Sequence, residues 1–253
     1  MGWNMTTKNK FIDPYSYVPK YHQMFTILRT KIENGEWQPK SPIPPERELE
    51  KLYNVSRTTI RQALSMLQDH GYIYRELGRG TFVTPPKLQN SLHVLTSFSD
   101  DMKERGLKPS HRILNLKYVE PSKNVRTQLE LPESAETVFM LERLRFADGI
   151  PIGIHVSYLP LNPGQTITVD EVEEYGSLYN LLQEKFNLIA TEADETLEAT
   201  IADAYEAQLL EVNTGSPLLL IERTVWSQAR YPMEFVKVLY RADRYKYFVH
   251  LNR

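Results

Sequence analysis

The sequence predicts an α+β protein built from two domains, a mainly helical domain followed by one with a mostly antiparallel sheet. Residues 17–84 show three helical patterns and a short hairpin, whereas residues 91–253 alternate strands with short helices. Between them, residues 85–90 contain two consecutive prolines, which cannot continue a strand ladder and therefore predict a linker. A length of 253 residues is sufficient for two ordinary domains.

The amino-acid composition excludes several classes of protein. Apolar residues make up 41% and charged residues 25% of the chain, as in ordinary globular proteins. The absence of cysteine excludes disulfides and thiolate metal sites and fits a reducing compartment. No apolar run approaches the ~20 residues of a membrane span, and residues 1–10 lack the apolar segment of a secretory signal. We therefore expect a cytoplasmic protein with a flexible arm over residues 1–16, in which Met1 or Met5 is the natural start.

The charged residues are divided unequally between the two parts of the chain. Residues 1–89 contain 13 Lys and Arg against 8 Asp and Glu, a net charge of +5, and the remainder contains 17 against 24, a net charge of −7. A basic first third joined to an acidic remainder fits a nucleic-acid-binding domain attached to a domain that avoids the phosphate backbone.

The first three predicted elements are amphipathic helices. Residues 20–34 place their apolar side chains on one face, and residues 45–53 form a short helix with proline at its first turn and acidic residues near its positive end. The third helix follows Ser56, a favourable N-cap residue, and Val55 can pack on Ile60 one turn inside the helix.

The third helix carries the chemistry that a DNA contact requires. Arg57, Arg61 and Ser65 follow one another at helical spacing on the edge opposite the apolar stripe, with Thr58 beside them. Arginines and hydroxyls thus crowd the first two turns, where free N–H groups and the helix dipole favour an anion. In a recognition helix, such arginines read guanine and such hydroxyls bind phosphates. Taken alone, the pattern fits a solvated surface helix equally well.

The hairpin that follows favours the DNA-binding interpretation. Residues 72–75 and 81–84 read as two strands joined by a turn that contains glycines 78 and 80. These glycines let the backbone come close to a partner, and Arg79 between them suits a narrow minor groove. A short helix, a recognition helix and such a wing together indicate a winged helix-turn-helix that binds double-stranded DNA.

Three motifs of this region resemble the DNA-binding domain of the GntR family of regulators. They are Pro-Pro-Glu-Arg-Glu-Leu at 44–49, Val-Ser-Arg-Thr-Thr-Ile-Arg-Gln-Ala-Leu at 55–64 and Gly-Arg-Gly-Thr-Phe-Val at 78–83, within a match over about residues 17–84. The resemblance implies that the groove-facing and phosphate-contacting residues are Arg47, Ser56, Arg57, Thr58, Thr59, Arg61, Gly78, Arg79 and Gly80. The chain departs from the family at Pro45, where Ser is usual, and at Lys40, where Gly is frequent. The first change removes a possible phosphate contact, and neither threatens the fold.

The second domain reads as a succession of strands and helices. The predicted strands are 110–120, 137–147, 150–160, 189–199, 217–226, 233–240 and 245–251, and the predicted helices are 98–105, 123–131, 177–186 and 202–210. Asp148-Gly149 is a strong hairpin signal between two of these strands. The order predicts a mostly antiparallel sheet with helices on one face.

Two segments of this domain resemble the UTRA effector-binding domain, which has a chorismate-lyase-like fold and defines the HutC subfamily of the GntR regulators. They are Ser-Tyr-Leu-Pro at 157–160 after the hairpin and the closing segment 232–245, within a match over about residues 91–250. The resemblance implies that residues 91–253 bind an effector and pair two chains.

Two arginines in this domain are candidates for binding an anion. Arg143 and Arg145 alternate with Leu and Phe, so that both guanidinium groups lie on one face of a strand. Such a pair can clamp a phosphate or a carboxylate bidentately. From spacing alone, a solvent-facing strand is the favoured interpretation, because strands often alternate apolar and charged residues.

Resemblance to repressors of N-acetylglucosamine utilisation implies instead that this pair binds the phosphate of a sugar phosphate. The same resemblance assigns effector contacts to Ser97, Phe98, Ser99, Arg143, Arg145, Ser177, Tyr179, Glu234 and Tyr240. Structural roles remain open for several of them: Ser177 as an N-cap, the two tyrosines as packing residues and Glu234 as a strand-face charge. His155, where relatives often carry an acid, is expected to be structural or at the edge of the pocket.

The sequence thus predicts a homodimeric repressor that binds palindromic operator DNA and responds to glucosamine 6-phosphate or N-acetylglucosamine 6-phosphate, without a cofactor or metal. Alternatives are the same regulator sensing trehalose 6-phosphate or urocanate, a DNA-tethered lyase-like enzyme, and a purely architectural DNA-binding protein. An enzyme is disfavoured because the sequence has no nucleophile–base motif, no phosphate-cradling glycine loop and no metal-spaced cluster.

Overall fold

The computed structural model describes residues 12–76, 78–85, 87–91, 95–162 and 164–248. The chain divides into two compact units between Lys87 and Leu88, and each is described by itself below. Most of the predicted arm (residues 1–11), Pro86 of the predicted linker and residues 249–251 of the last predicted strand lie outside the described residues.

The first unit contains three helices and one hairpin. They are α1 Lys20–Glu33, α2 Glu46–Tyr53, α3 Arg57–Asp69, β1 Ile73–Glu76 and β2 Gly80–Val83, with the two strands antiparallel. The apolar stripe predicted for α3 is buried: Ile60 and Leu67 are fully buried against Met24 and Leu28 of α1 and Leu49 of α2. The winged helix-turn-helix prediction is therefore confirmed for this unit.

Two details of the first unit differ from the prediction or explain it. Helix α2 begins at Glu46, so that Pro45 is its N-cap and lies before its first turn instead of within it. Lys40 has a φ of 64°, in the left-handed region, which explains why glycine suits this position. The Lys40 N–H then donates to the Val83 carbonyl at 2.9 Å and the Ile43 N–H to the Thr81 carbonyl at 2.9 Å, which fixes β2 of the wing.

The second unit is built on a six-stranded antiparallel sheet with the order β4-β5-β6-β9-β8-β7. These strands are β4 Pro109–Val119, β5 Val138–Ala147, β6 Ile150–Leu159, β7 Ala190–Ile201, β8 Pro217–Ser227 and β9 Pro232–Arg241. The helices of the unit are α4 Phe98–Glu104, α5 Lys123–Gln128, α6 Val169–Tyr175, α7 Leu178–Phe186 and α8 Ala204–Leu210. Two further strands, β3 Leu88–Ser91 and β10 Tyr245–Phe248, pair in parallel.

The helices flank both faces of the sheet, so the expectation of helices on one face is wrong. Leu141 of β5 belongs to the same buried cluster as Leu181 of α7, whereas Leu144, on the opposite face of β5, belongs to the cluster of Leu210 in α8. A strand that is buried on both sides carries apolar residues at successive positions instead of at every second one. Strand β5 has this pattern apart from its charged residues.

Two elements were not predicted from the sequence. Strand β3 lies partly in the predicted linker. Its pairing with β10 is a tertiary contact, and the polar sequence Leu-Gln-Asn-Ser does not predict a strand. Helix α6 has a capping box in which Thr168 and Glu171 satisfy each other's backbone N–H groups. That Thr-x-x-Glu spacing was a readable signal.

Candidate functional sites

The exposed edge of α3 presents basic and hydroxyl groups around its first turn. Ser56 caps the helix, its Oγ accepting from the Thr59 N–H at 3.2 Å, and the two hydroxyl oxygens are 2.9 Å apart. Arg57, Thr58 and Arg61 are exposed on the side opposite the buried stripe, and Thr59 is half-buried. The first two turns therefore offer hydroxyls and two exposed cations where the helix dipole favours an anion.

The start of α2 and the tip of the wing lie beside this edge. Arg57 Nε lies 3.2 Å from Glu46 Oε2 at the first residue of α2. Glu46 also lines a groove together with Arg79 and Gly80 of the wing. Arg47, the next residue of α2, is exposed. The predicted DNA-binding residues thus come from three elements that meet on one surface of this unit.

The wing tip depends on two glycines. Gly78 and Gly80 have φ values of 75° and 123°, which side-chain-bearing residues rarely adopt, and open space surrounds both. Arg79 between them is 72% exposed and pairs with Glu76. Arg75, exposed on β1 opposite Thr81, is a further wing cation that the sequence reasoning did not select.

The second unit contains a cavity on one face of its sheet, lined by residues of β5, β6, β8, β9, β10, α4 and α7. Of the residues predicted to contact an effector, those that line it are Ser97, Phe98, Arg143, Arg145, Ser177, Tyr179, Glu234 and Tyr240. The remaining one, Ser99, lies behind Arg145. Its hydroxyl accepts from Arg145 Nη2 at 3.3 Å and donates to the Gly176 carbonyl at 2.9 Å.

The arginine pair is buried, so the interpretation of its strand, β5, as solvent-facing is wrong. Arg143 is 4% and Arg145 3% exposed. Arg143 Nε, Arg145 Nε and Arg145 Nη1 have no hydrogen-bond partner within the described part of the chain. Burial lowers the pKa of Arg143 to about 10, and burial together with the charge of Arg143 lowers the pKa of Arg145 well below its usual range. Because an uncompensated buried cation is costly, this arrangement favours an anionic ligand.

Ser177 and the start of α7 face the same cavity. Ser177 occupies the N-cap position of α7, but its side chain makes no capping bond. Its Oγ is buried and without a partner among the described residues. The N-cap role anticipated for this hydroxyl is therefore not observed, and the hydroxyl is available beside the free backbone N–H groups of a nine-residue helix.

A network of charged and phenolic groups forms another wall. Arg223 of β8 pairs with Glu195 of β7 at 2.5 Å. Burial raises the pKa of Tyr179, and the neighbouring Glu234 raises it further, whereas Arg223 acts in the opposite direction. Arg223 was not predicted as a site residue, because only the pairing of β8 with β9 brings it to the cavity.

Strand β6 forms the floor between the arginine pair and Glu234. His155 is buried between the rings of Phe98 and Tyr240, whose centroids are 5.4 and 5.3 Å from that of the imidazole, both edge-on. Gly153 allows Tyr240 to lie against the strand, since a Cβ there would be 2.6 Å from the ring and from the Leu239 carbonyl oxygen.

The part of the chain that the structure describes contains neither a candidate metal cluster nor a candidate membrane span. No three His, Asp or Glu side chains there lie close enough together to hold a metal ion. Every helix within those residues is too short or too polar to span a bilayer.

Two family models match the chain: "Bacterial regulatory proteins, gntR family" over residues 20–83 and "UTRA domain" over residues 104–246. The HTH-type transcriptional repressor NagR of Bacillus subtilis (strain 168) is 35% identical over 242 residues, which cover 96% of this chain and 98% of that protein. The probable fructoselysine utilization operon transcriptional repressor of Escherichia coli (strain K12) is 31% identical over 92% of this chain and 94% of its own length. Among solved structures, PhnF from Mycobacterium smegmatis is similar with a TM-score of 0.59 and 26% identity, covering 90% of this chain and 98% of that one.

Proposed function

The chain belongs to the GntR family of bacterial regulatory proteins and carries a UTRA domain, and on this premise we propose that its effector is a phosphorylated sugar. It is a DNA-binding transcriptional repressor of the HutC type and not an enzyme, since the matching domains and relatives are regulators. The proposal places it in the cytoplasm, bound to operator DNA until the effector alters that binding.

The observation that carries the proposal is the buried arginine pair, in which Arg143 Nε, Arg145 Nε and Arg145 Nη1 have no hydrogen-bond partner among the described residues. Arg143 and Arg145 supply fork-shaped cationic donors, and Ser177 with the start of α7 supplies a hydroxyl and backbone N–H groups nearby. A phosphate dianion uses more of these donors than a carboxylate, which has only two oxygens. This supports a sugar phosphate over urocanate.

The rest of the cavity supports a sugar attached to that phosphate. Tyr240 on β9 lies opposite Arg145 of β5 across β6, two strand spacings or about 10 Å away, a distance that a hexose phosphate can bridge between facing side chains. Glu234 lies further along the same face of β9 and lines the same cavity. Similarity to NagR, a repressor, supports an amino-sugar 6-phosphate such as N-acetylglucosamine 6-phosphate or glucosamine 6-phosphate. Trehalose 6-phosphate remains the alternative within the same chemistry.

The proposed assembly is a homodimer on a palindromic operator. One recognition helix contacts one half-site, so two chains place two α3 helices about one helical turn of DNA apart. In the proposed contact, Arg47, Arg57 and Arg61 face the major groove, the hydroxyls at the start of α3 bind phosphates, and Arg79 enters the minor groove.

Effector binding has a physical route to the segment that leads to the first unit. Tyr240 of the cavity stacks on Tyr245 of β10, with ring centroids 3.9 Å apart. Strand β10 pairs with β3, which begins directly after Lys87. A ligand that moves Tyr240 therefore acts on the first strand after the DNA-binding unit, and allosteric couplings of this kind are typically about 1–3 kcal/mol.

A thermal melt of the full chain tests the effector class. The panel contains both amino-sugar 6-phosphates, trehalose 6-phosphate, urocanate and inorganic phosphate. An effector at about 100 times its dissociation constant is expected to add ~2.7 kcal/mol of stability. The shift should vanish in Arg143→Ala and persist in Arg112→Ala, whose exposed side chain lies on the opposite face of the sheet.

Operator binding tests the coupling separately. The effector identified by the melt is expected to change the affinity for a palindromic operator fragment measured by fluorescence anisotropy. A flat melt panel would reject the sugar phosphate but leave the DNA-binding role intact. Tight effector binding with unchanged operator affinity would instead reject the proposed release mechanism.

A further inference from the structure

Two buried polar groups on β6 have no part in the phosphate site. His155 Nε2 and Ser157 Oγ are buried, and neither has a hydrogen-bond partner in the described ranges of the chain. Both side chains line the effector cavity. Strand β6 lies between β5 and β9, and His155 is directly opposite Arg143 in the register. A ligand that reaches from the arginine pair to Glu234 therefore passes over these two groups.

The electrostatic surroundings of His155 are positive. Burial lowers the pKa of His155 well below its usual value, and Arg145, Arg143 and Arg223 lower it further, so the imidazole is uncharged near neutral pH. The flanking rings of Phe98 and Tyr240 bring no charge to it. A ligand ammonium at the same place lies near the same three cations, of which the ligand's phosphate offsets Arg143 and Arg145 only in part.

The acids of the cavity already have partners. Asp101 forms an ion pair with Arg105. Glu234 attracts Arg143 and raises the pKa of the nearby Tyr179 hydroxyl. Neither carboxylate is therefore left to offset an ammonium placed over β6.

We propose that His155 and Ser157 form a neutral hydrogen-bonding subsite, which accepts an uncharged hydroxyl or carbonyl group of the ligand and disfavours an ammonium there. A neutral imidazole has one donor and one acceptor, and a serine hydroxyl can act as either, so a hydroxyl or amide can satisfy both side chains. The inference rests on the proposed function and narrows it. The ligand class is a hydroxy- or acylamino-sugar phosphate, bound in preference to the free amino sugar.

The test is isothermal titration of the full chain at pH 6.5–7 with glucose 6-phosphate, N-acetylglucosamine 6-phosphate and glucosamine 6-phosphate. The wild type is expected to bind glucose 6-phosphate or N-acetylglucosamine 6-phosphate, which lack an ammonium group, about tenfold more tightly than glucosamine 6-phosphate. His155→Glu introduces a carboxylate under the ligand and is expected to shift this ratio at least tenfold towards the amine. His155→Gln keeps the site neutral and should keep the wild-type order with weaker binding.

His111→Gln is the matched control, because His111 lies on β4 on the other side of Arg145 and does not line the cavity. It should leave the order of the three ligands unchanged. The inference is overturned if the wild type prefers glucosamine 6-phosphate, or if His155→Glu and His155→Gln give the same ratio of affinities. In either case the sugar-phosphate function stands. If none of the three binds to a protein that still melts cooperatively, the proposed function itself fails.

Discussion

Replacing Arg145, one of the two buried arginines of the cavity, should make the ligand-free protein more stable. Arg145 is 3% exposed, and two of its three nitrogens have no hydrogen-bond partner among the described residues. Its remaining contacts are one bond of 3.3 Å to Ser99 Oγ and a guanidinium carbon 4.3 Å from the centre of the Phe98 ring. Arg145→Met keeps the ring contact and removes both the desolvated charge and its repulsion from Arg143.

The expected gain follows from the cost of burying a charge. Replacing buried ionic groups by apolar residues of similar volume is often neutral or stabilising by about 1–4 kcal/mol. In a unit of this size, each kcal/mol corresponds to a rise of roughly 2–4 °C in melting temperature. Arg145→Met should therefore melt several degrees above the wild type without ligand and lose the stabilisation that the effector provides.

Arg241 is the matched control, because it is a buried arginine with all its groups paired. It binds Asp243 through Nε at 3.0 Å and Nη2 at 2.8 Å, and its Nη1 donates to the Leu210 carbonyl at 3.0 Å. Removing one partner of a buried ion pair costs about 3–5 kcal/mol of folding free energy. The cost of Arg241→Met should lie near the lower end of this range, because Asp243 is partly exposed. Both variants are compared with the wild type by thermal melts with and without effector. If Arg145→Met melts as low as Arg241→Met, or keeps the effector shift, Arg145 is a structural group and the phosphate assignment is wrong.

Three further predictions concern other parts of the chain. Arg61→Ala should weaken specific operator binding by ~1–3 kcal/mol if this exposed side chain reads a base, and an equal loss on random DNA in the same anisotropy assay would make it a phosphate contact. Lys40→Gly should raise the free energy of unfolding by ~1 kcal/mol, observed as a higher urea midpoint, because the φ of 64° is strained for lysine. A lower midpoint would show that the lysine side chain contributes more stability than the strain costs. Burial and the two arginines of β5 lower the pKa of His111 to about 4 in the folded protein, below its unfolded value near 6.5, so the unfolded chain binds more protons between these values. Melting temperature should therefore fall as pH is lowered through this window, and less so in His111→Gln; equal slopes would contradict the assignment.

Local patterns predicted the first unit well because its elements are defined by neighbouring residues. The stripe Ile60, Ala63, Leu64 and Leu67 needs only helical period, and the wing needs only glycines at positive φ. The strain at Lys40 could not be predicted from the chain itself, because it depends on the bond from this backbone to Val83. Strand β3 was missed for the same reason, since its partner β10 is more than 150 residues away in sequence.

The effector cavity could be predicted only in part. Period 2 placed Arg143 and Arg145 on one face, but whether that face is buried depends on the helices that cover it. Arg223 and Ser157 reach the cavity because β6, β9 and β8 are adjacent, although β7 and β8 follow β6 in sequence. The hairpin signal Asp148-Gly149 reports the pairing of β5 with β6, but the pairing of β6 with β9 joins strands that are not consecutive, so no turn signal reports it.

In the proposed mechanism, the buried positive charge of Arg143 and Arg145 and the regulatory response to the effector are two aspects of the same arrangement. Arg143 and Arg145 are held in a buried position that costs folding free energy as long as no anion is bound. An effector regains that free energy only in the conformation that keeps the arginines and the start of α7 together around it. Arg145 is also bonded to Ser99 of α4, which lies between β3 and the sheet in the chain. The free energy of pairing the arginines with the effector is therefore available to fix the position of α4 and β3. A cavity whose arginines were already paired with protein acids would bind the ligand without moving these elements.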